Sequence, residues 1–372
     1  MHRAPVRQPR RAAAVTRASA QQLSNGSPVL QGLPFFCYIL SVMSPLFGKK
    51  KSNEKTILVI DIENGSVGAA LARLSSSEAP KLFSEKRVHL PALRTRDSGT
   101  LALQVDKALK DVLLEMAGVA ARVRTHPTAY ELGDVSRVIF FLHAPWVALD
   151  VAEPGKVVLD APEDFLSTLR GRTEEVFDAV PVSFQAYGSR VPAVVGGLFN
   201  DHADILLLTM TGEVTELSKS QGGVIVGHAT VPVGTHTFLR TLGSHAGMTE
   251  PEARSALSLM RHKDALSHTS WGEAFQTAGG HFMQESSDVL GQLLRDHTSP
   301  QGIYIVAPAP LGEWFARTIS DTDSLAGLFP EGSRARAVHP HHTKPFLGVH
   351  SQIPDTSLAL EVISIDARMS GI

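Results

Sequence analysis

One short stretch of the chain combines residue types that can bind both a cation and an anion. Asp61 follows a run of four apolar residues, and Asn64, Gly65 and Ser66 come next at a turn. A carboxylate placed there can hold a hydrated divalent cation, while the N–H groups of a turn and a serine hydroxyl can bind phosphate oxygens. Asn and Gly also tolerate positive φ, and Asp at a turn is common for purely local reasons. From these residues alone, a phosphate site and an ordinary hairpin both remain open.

The residues around this turn predict the elements that position it. Residues 57–60 are apolar and mostly β-branched, which is typical of a strand buried on both faces, and residues 67–71 read as the second arm of a hairpin. Further along we expect strands at 81–90, 137–142 and 180–187 and helices at 100–120 and 161–177. This succession predicts an α/β lobe. His143 follows the strand at 137–142, and we interpret it as a histidine with satisfied contacts rather than a catalytic base.

A second unit repeats the plan of the first. We expect strands at 205–208, 214–218 and 224–231, a turn at 209–213, and a helix at 235–242. Two copies of one plan indicate a duplicated fold with a cleft between the copies, where ligands tend to bind. Residues 302–306 and 312–319 predict a further strand and helix, and residues 355–366 predict a terminal helix that packs on the second lobe.

Composition excludes several classes of protein. A chain of 372 residues suits two lobes, and its 43% hydrophobic and 19% charged residues are those of an ordinary soluble globular protein. The net charge of -2 argues against a general nucleic-acid binder. Cys37 is the single cysteine, which excludes an internal disulfide and a cysteine-based zinc site and fits a reducing cytoplasm. The histidines at 339, 341 and 342 have the right type for a metal site, but a solvated loop is the simpler interpretation.

The first 42 residues differ from the rest of the chain. They are rich in arginine and contain no Asp or Glu, as transit peptides do. A simpler interpretation is that translation starts at Met43 and that residues 1–42 are a disordered or mis-assigned extension. Residues 43–56 then form a basic leader, and its lysines 49–51 with Leu46 and Phe47 could lie on an anionic membrane surface.

The paired units resemble the actin-like ATPase superfamily, and within it the bacterial branch of the cell-division protein FtsA and the type IV pilus assembly protein PilM. The first phosphate loop of that branch looks like D-x-G-x-x-x-x-K or a serine-rich variant. Asp61, Gly65 and Ser66 fit this pattern, and Glu63 stands where glycine is usual. The leader FGKKK and the strand RVIFFLHAPW also look like this branch.

The second phosphate loop of the branch reads approximately D-x-G-x-x-x-T-D before a P-x-G hairpin. Its four marked positions are occupied by Thr209, Thr211, Thr215 and Glu216. Gly212 comes directly after Thr211, which stands where the family has glycine. The spacing is intact, but the first acid and the glycine are replaced. The adenosine loop of the family is rich in glycine, whereas Ala307 begins Ala-Pro-Ala-Pro here, which adds bulk and removes N–H groups.

The resemblance implies an α/β, duplicated actin-like (ribonuclease H-like) two-lobed fold with a small inserted α+β subdomain. Its expected parts are the first lobe at 57–146, the insertion at 147–199, which would contain Tyr187, and the second lobe at 200–372. The cofactors that it implies are ATP and Mg²⁺, with Asp61 as the metal ligand. The residues that it implies for cofactor binding are Asp61, Asn64, Gly65, Ser66, Thr209, Thr211, Gly212, Thr215 and Ala307.

The replaced residues predict weakened nucleotide binding and little or no hydrolysis, because phosphoryl transfer depends on positioning and electrostatics and Thr209 carries no charge. No catalytic residue is assigned. The resemblance implies a cytoplasmic scaffold at the inner face of the plasma membrane, in type IV pilus assembly or cell division. Its expected partners are inner-membrane proteins, such as the tail of a pilus protein, and further copies of itself, with no nucleic acid. The alternative is an active ATPase or small-molecule kinase of the same superfamily.

Overall fold

The computed structural model describes residues 54–92, 98–125, 132–149, 153, 156–200, 204–259, 270–295, 299–309, 311–321, 329, 333–349 and 354–366. The expectations for the N-terminal extension and for most of the basic leader lie outside these residues. None of the described helices is both long enough and apolar enough to cross a membrane.

The predicted hairpin lies in the first of two large sheets. In hydrogen-bonded order, the strands of this sheet are Gly348–Val349 (β13), Lys81–His89 (β3), Ser66–Leu74 (β2), Lys55–Ile62 (β1), Val135–Leu142 (β4) and Val182–Ala186 (β7). β1 is antiparallel to β2 and parallel to β4. Asp61 is therefore close to the carboxyl end of a strand in the middle of the sheet.

The second sheet repeats this arrangement. In hydrogen-bonded order, its strands are Val224–Val231 (β10), Thr215–Gln221 (β9), Asp204–Met210 (β8), Gly302–Val306 (β11) and Ala335–Ala337 (β12). β8 is antiparallel to β9 and parallel to β11, as β1 is to β2 and β4. Strand order and strand direction thus confirm the predicted duplication.

Helices cover the faces of the sheets. They are Ser98–Thr125 (α1), Glu163–Phe177 (α2), Tyr187–Phe199 (α3), Thr235–Ala246 (α4), Glu250–Leu259 (α5), Ser270–Arg295 (α6), Leu311–Asp321 (α7), Pro340–Thr343 (α8) and Thr356–Ile365 (α9). In β1, Leu58 and Ile60 belong to the core that includes α1, whereas Ile57 and Val59 belong to the core that includes α3 and α9. Because both faces are covered, β1 needs apolar residues at consecutive positions.

A small α+β unit is inserted between β4 and β7, as predicted. It consists of α2 and a two-stranded sheet, Val147–Leu149 (β5) and Val157–Leu159 (β6). The unit ends earlier than residue 199, because β7 is hydrogen-bonded to β4 in the first sheet. Tyr187, which we expected in the insertion, is instead fully buried at the start of α3.

The C-terminal helix packs differently from the expectation. We placed residues 355–366 on the second lobe, but α9 contacts α3, β1 and β2. All six residues from Leu358 to Ile363 are buried. A helix that is buried on every side must be surrounded by other elements. The hydrophobic core that contains α9 also includes Ile205 and Leu207 of β8 in the second sheet. α9 therefore lies between the two sheets rather than on one lobe.

Candidate functional site

The two predicted phosphate loops touch each other. A methyl group on Gly65 would lie 2.8 Å from the backbone nitrogen of Gly212, and one on Gly212 would lie 2.7 Å from that of Gly65. Because the nearest neighbours of each added methyl group are backbone atoms of the other loop, the two glycines pack directly against each other. The loops therefore leave no space between them for a phosphate group. We expected Asn64 and Gly65 because both tolerate positive φ, but neither has positive φ, so that reason is wrong. Glycine is needed at position 65 because the backbone of Gly212 leaves no room for a side chain.

Asn64 joins the loops. It is 3% exposed, and its Oδ1 accepts hydrogen bonds from Thr211 Oγ1 at 3.1 Å and from Glu213 N at 2.7 Å. Its Nδ2 donates to Ala144 O at 3.0 Å. One side chain thus connects the first loop, the second loop and the end of β4. Asn64 fixes the two lobes against each other and does not face the cleft.

Asp61 is fully buried, and its Oδ2 accepts a hydrogen bond from Arg87 at 2.7 Å. Arg87 also donates to Glu63 Oε1 at 3.1 Å, to Ser66 Oγ at 2.8 Å and to Asp355 Oδ2 at 2.6 Å. Burial on its own would raise the pKa of Asp61, but the charges of Arg87 and of the nearby His143 hold it below its ordinary value. One oxygen of the predicted metal ligand is therefore paired with a guanidinium.

We did not identify Arg87 as part of the site from the sequence. A glycine on the neighbouring strand, Gly68, is the feature that could have indicated it. Gly68 lies opposite Arg87 in the register of β2 and β3, and a methyl group there would lie 3.1 Å from the guanidinium carbon. The glycine leaves room for the arginine side chain to cross the hairpin. Glu63 lies next to Arg87 and is largely buried. Burial and the charge of Asp61 raise the pKa of Glu63 to about 7, although the charge of Arg87 acts in the opposite direction.

His143 lies beneath the loops and is fully buried. Its Nε2 is 3.1 Å from Asp61 Oδ1 and its Nδ1 is 3.2 Å from Glu216 Oε1. Burial would lower the pKa of His143, but the charges of Glu216 and Asp61 raise it well above its ordinary value. Glu361 of α9 completes the group, and burial and the charge of Asp61 raise the pKa of Glu361 well above its ordinary value. His143 is thus held by carboxylates from both lobes.

The three threonines of the second loop make contacts that hold this loop and its strands in place. Thr209 is 3% exposed and pairs with Glu216 and Val306 in the sheet. Thr211 donates to Val214 O at 2.9 Å as well as to Asn64, and Thr215 Oγ1 donates to Val233 O at 2.7 Å. None of these threonines lines the neighbouring cleft.

A cleft of about 410 Å³ opens beside the touching loops. Gly65, Ser66, Gly212 and Ala307 all line it, so the structure brings these four predicted residues together. Asp61 and Asn64 are buried beneath it. The remaining wall is partly apolar, with Leu239 and Leu257 among its members. Whether the cleft binds a nucleotide stays a prediction.

Comparisons with known proteins rest on structure alone. No family model matches the chain, and no curated protein matches it. The PilM–PilN type IV pilus biogenesis complex contains a chain that is 16% identical, with a TM-score of 0.56, and the match covers 82% of this chain and 97% of that chain. The ethanolamine utilization protein EutJ from Carboxydothermus hydrogenoformans is 10% identical with a TM-score of 0.49, and the match covers 84% of this chain and 88% of that chain. The MamK double helical filament contains a chain that is 10% identical with a TM-score of 0.48, and the match covers 86% of this chain and 99% of that chain. The chain has the actin-like ATPase fold, as the resemblance predicted.

Proposed function

We propose that this protein is an actin-like scaffold that assembles a membrane-associated protein complex and hydrolyses ATP poorly or not at all. The observation that carries the proposal is the backbone contact between Gly65 and Gly212. Phosphoryl transfer depends on holding a phosphate in line with its nucleophile, and in this fold family the two loops would hold it. Two loops in contact cannot do so.

The charges at the site support the same conclusion. Arg87 lines the cleft and donates to Asp61 Oδ2, so this carboxylate is not open to a cation in the cleft, and Thr209 supplies no charge where the family has an acid. The residues present therefore do not fit Mg²⁺ coordinated to a phosphate between the loops. We assign no catalytic step to them. Any nucleotide affinity would come from the cleft outside the loops, whose apolar wall includes Leu239 and Leu257.

The exposed face of α1 supports the proposal of a protein partner. Leu103 is 73% exposed and Leu114 is 54% exposed, and their spacing of eleven residues puts both on one face of the helix. Lys107 and Lys110 lie on the same face between them and are exposed. This face suits an amphipathic acidic segment, such as the cytoplasmic tail of an inner-membrane protein. α1 also packs against α2 of the insertion, which would extend the surface.

A titration with Mg-ATP followed by a phosphate-release assay tests the proposal. We expect weak or undetectable binding and no release of phosphate above the rate of a buffer blank. Turnover that Asp61→Ala abolishes would contradict the proposal and favour an active ATPase or kinase of the same fold.

The partner surface needs a separate test in cells that contain the native complex. A photo-crosslinking residue at position 103 or 114 should react with a membrane protein of that complex. The same residue at Val224, which is 61% exposed on the second sheet, is the matched control. Equal crosslinking at position 224 would show that exposure alone explains the reaction.

A further inference from the structure

We propose that Asp61, His143 and Glu361 form a buried site for a transition metal ion such as Zn²⁺, held by these three side chains between the two sheets, with the second oxygen of Glu361 as the fourth ligand atom. One donor atom from each of the three residues lies within 4.8 Å of the other two. Asp61 comes from β1, His143 follows β4 and Glu361 lies on α9. Carboxylate and imidazole are ligands that Zn²⁺ accepts. The site is independent of ATP and of the proposed scaffold role.

The atoms of the cluster lack hydrogen bonds of good geometry to the rest of the protein. Both carboxylate oxygens of Glu361 are buried and make no hydrogen bond. His143 Nε2 lies 3.1 Å from Asp61 Oδ1, which is close to the separation of two ligands of one ion. All three side chains are fully buried. Buried polar atoms are nearly always paired, and a carboxylate with two unpaired oxygens is costly in a protein interior. A metal ion at this point would satisfy atoms from all three residues at once.

The outer contacts have the pattern of a metal site. A histidine that binds a metal through one nitrogen usually directs the other at a carboxylate, and His143 Nδ1 lies 3.2 Å from Glu216 Oε1. A ligating carboxylate is itself held by a hydrogen bond, and Asp61 Oδ2 accepts from Arg87 at 2.7 Å. The remaining atoms of the two residues, His143 Nε2 and Asp61 Oδ1, face each other at 3.1 Å. Glu216 and Arg87 thus orient His143 and Asp61 as positioning residues.

The local charge also favours a cation. Arg87 is shared among Asp61, Glu63 and Asp355, so it cannot balance Glu361 as well. Zn²⁺ bonds of about 2.0–2.2 Å would place tetrahedral ligand atoms about 3.4 Å apart. Asp61 Oδ1 and His143 Nε2 are already 3.1 Å apart, so ion binding would mainly draw Glu361, and with it α9, towards β1. Because α9 lies between the sheets, the ion would fasten the two lobes together.

Refolding in the presence of Zn²⁺ or Co²⁺ provides the test, because a fully buried site has to be filled before the core closes. After dialysis, elemental analysis should find about one ion per chain, and the Co²⁺ form should absorb in the visible range as a tetrahedral complex does. Glu361→Gln keeps the volume of the side chain and removes a ligand, so it should weaken binding by more than about 100-fold. Glu216→Gln should weaken binding by about 10–100-fold.

Two controls separate this site from adventitious binding. The double variant His341→Ala, His342→Ala removes surface histidines and should keep the ion. Glu63→Gln removes a neighbouring acid that donates no atom to the cluster and should also keep it. The Glu361→Gln variant should fold, because it removes a buried carboxylate without a partner, and its midpoint of thermal unfolding without metal should match or exceed that of the wild type. Wild-type protein that holds no ion after dialysis would overturn the proposal, as would equal binding by Glu361→Gln.

Discussion

The contact between the two loops makes Gly65→Ala a demanding substitution. The added methyl group would lie 2.8 Å from Gly212 N and closer still to Gly212 Cα, both of which are backbone atoms that cannot rotate away. The loops would have to separate by about 1 Å, and overpacking of this kind costs about 1–3 kcal/mol. Separation would also strain the hydrogen bonds of Asn64 to Thr211 and Glu213, which adds about 1 kcal/mol. We expect a total loss of about 2–4 kcal/mol in the free energy of unfolding.

Urea denaturation monitored by circular dichroism measures this loss, and Gly280→Ala is its matched control. Gly280 lies in α6, and a methyl group there would meet nothing within 4 Å. Alanine is favoured over glycine inside a helix, so the control should be stabilised by about 0.5–1 kcal/mol. If Gly65→Ala unfolds at the same urea concentration as the wild type, the loops are not in contact in solution and our account of the cleft is wrong.

Further substitutions test the contacts around the loops. Asn64→Ala should lower the free energy of unfolding by about 1–3 kcal/mol in the same urea assay, because it leaves buried groups of both lobes unpaired; no change would contradict its linking role. Arg87→Met should cost about 3–5 kcal/mol by removing the guanidinium that pairs with buried Asp61 Oδ2, and adding Asp61→Asn should restore part of the loss; failure of this rescue would argue against the pair. Glu213 is three-quarters buried, and although burial alone would raise its pKa, hydrogen bonds and charges from His236 and Arg240 lower it to about 2. Its contribution of about 2 kcal/mol, discounted for partial exposure, should be complete above pH 4.5 and lost as the pH falls towards 2, and Glu213→Gln should remove that part of the pH dependence of unfolding.

The sequence predicted the two sheets well because their patterns are local. The apolar run of β1 and the repeat of strand, turn and strand at β8 are visible over a few residues, and the register follows from the hairpins. The short helix α8 was expected to be a loop, and two longer helices, α3 and α6, were missed for different reasons. α3 contains Pro192 and two adjacent glycines, which disfavour a helix, but enclosure between α9 and the second sheet overrides these preferences. α6 was not predicted at all, although it packs on α4 and β10.

The candidate site was only partly predictable, since its key contacts join distant residues. Arg87 and Asp355 are separated by 268 positions, and no pattern near either residue reveals the other. Glu361 was placed in the terminal helix, but the side of the fold on which that helix packs depends on the whole core. Gly65 was expected to be needed for its φ, whereas the structure shows that it is needed because Gly212, 147 positions away, packs against it.

The most direct test of the central claim is a crystal structure of the protein grown with Mg²⁺ and a non-hydrolysable ATP analogue. We predict that Gly65 and Gly212 remain in contact and that Asn64 still accepts hydrogen bonds from Thr211 and Glu213, with no phosphate between the loops. Phosphate groups lying between Gly65 and Gly212, with Mg²⁺ at Asp61 in place of Arg87, would contradict the account.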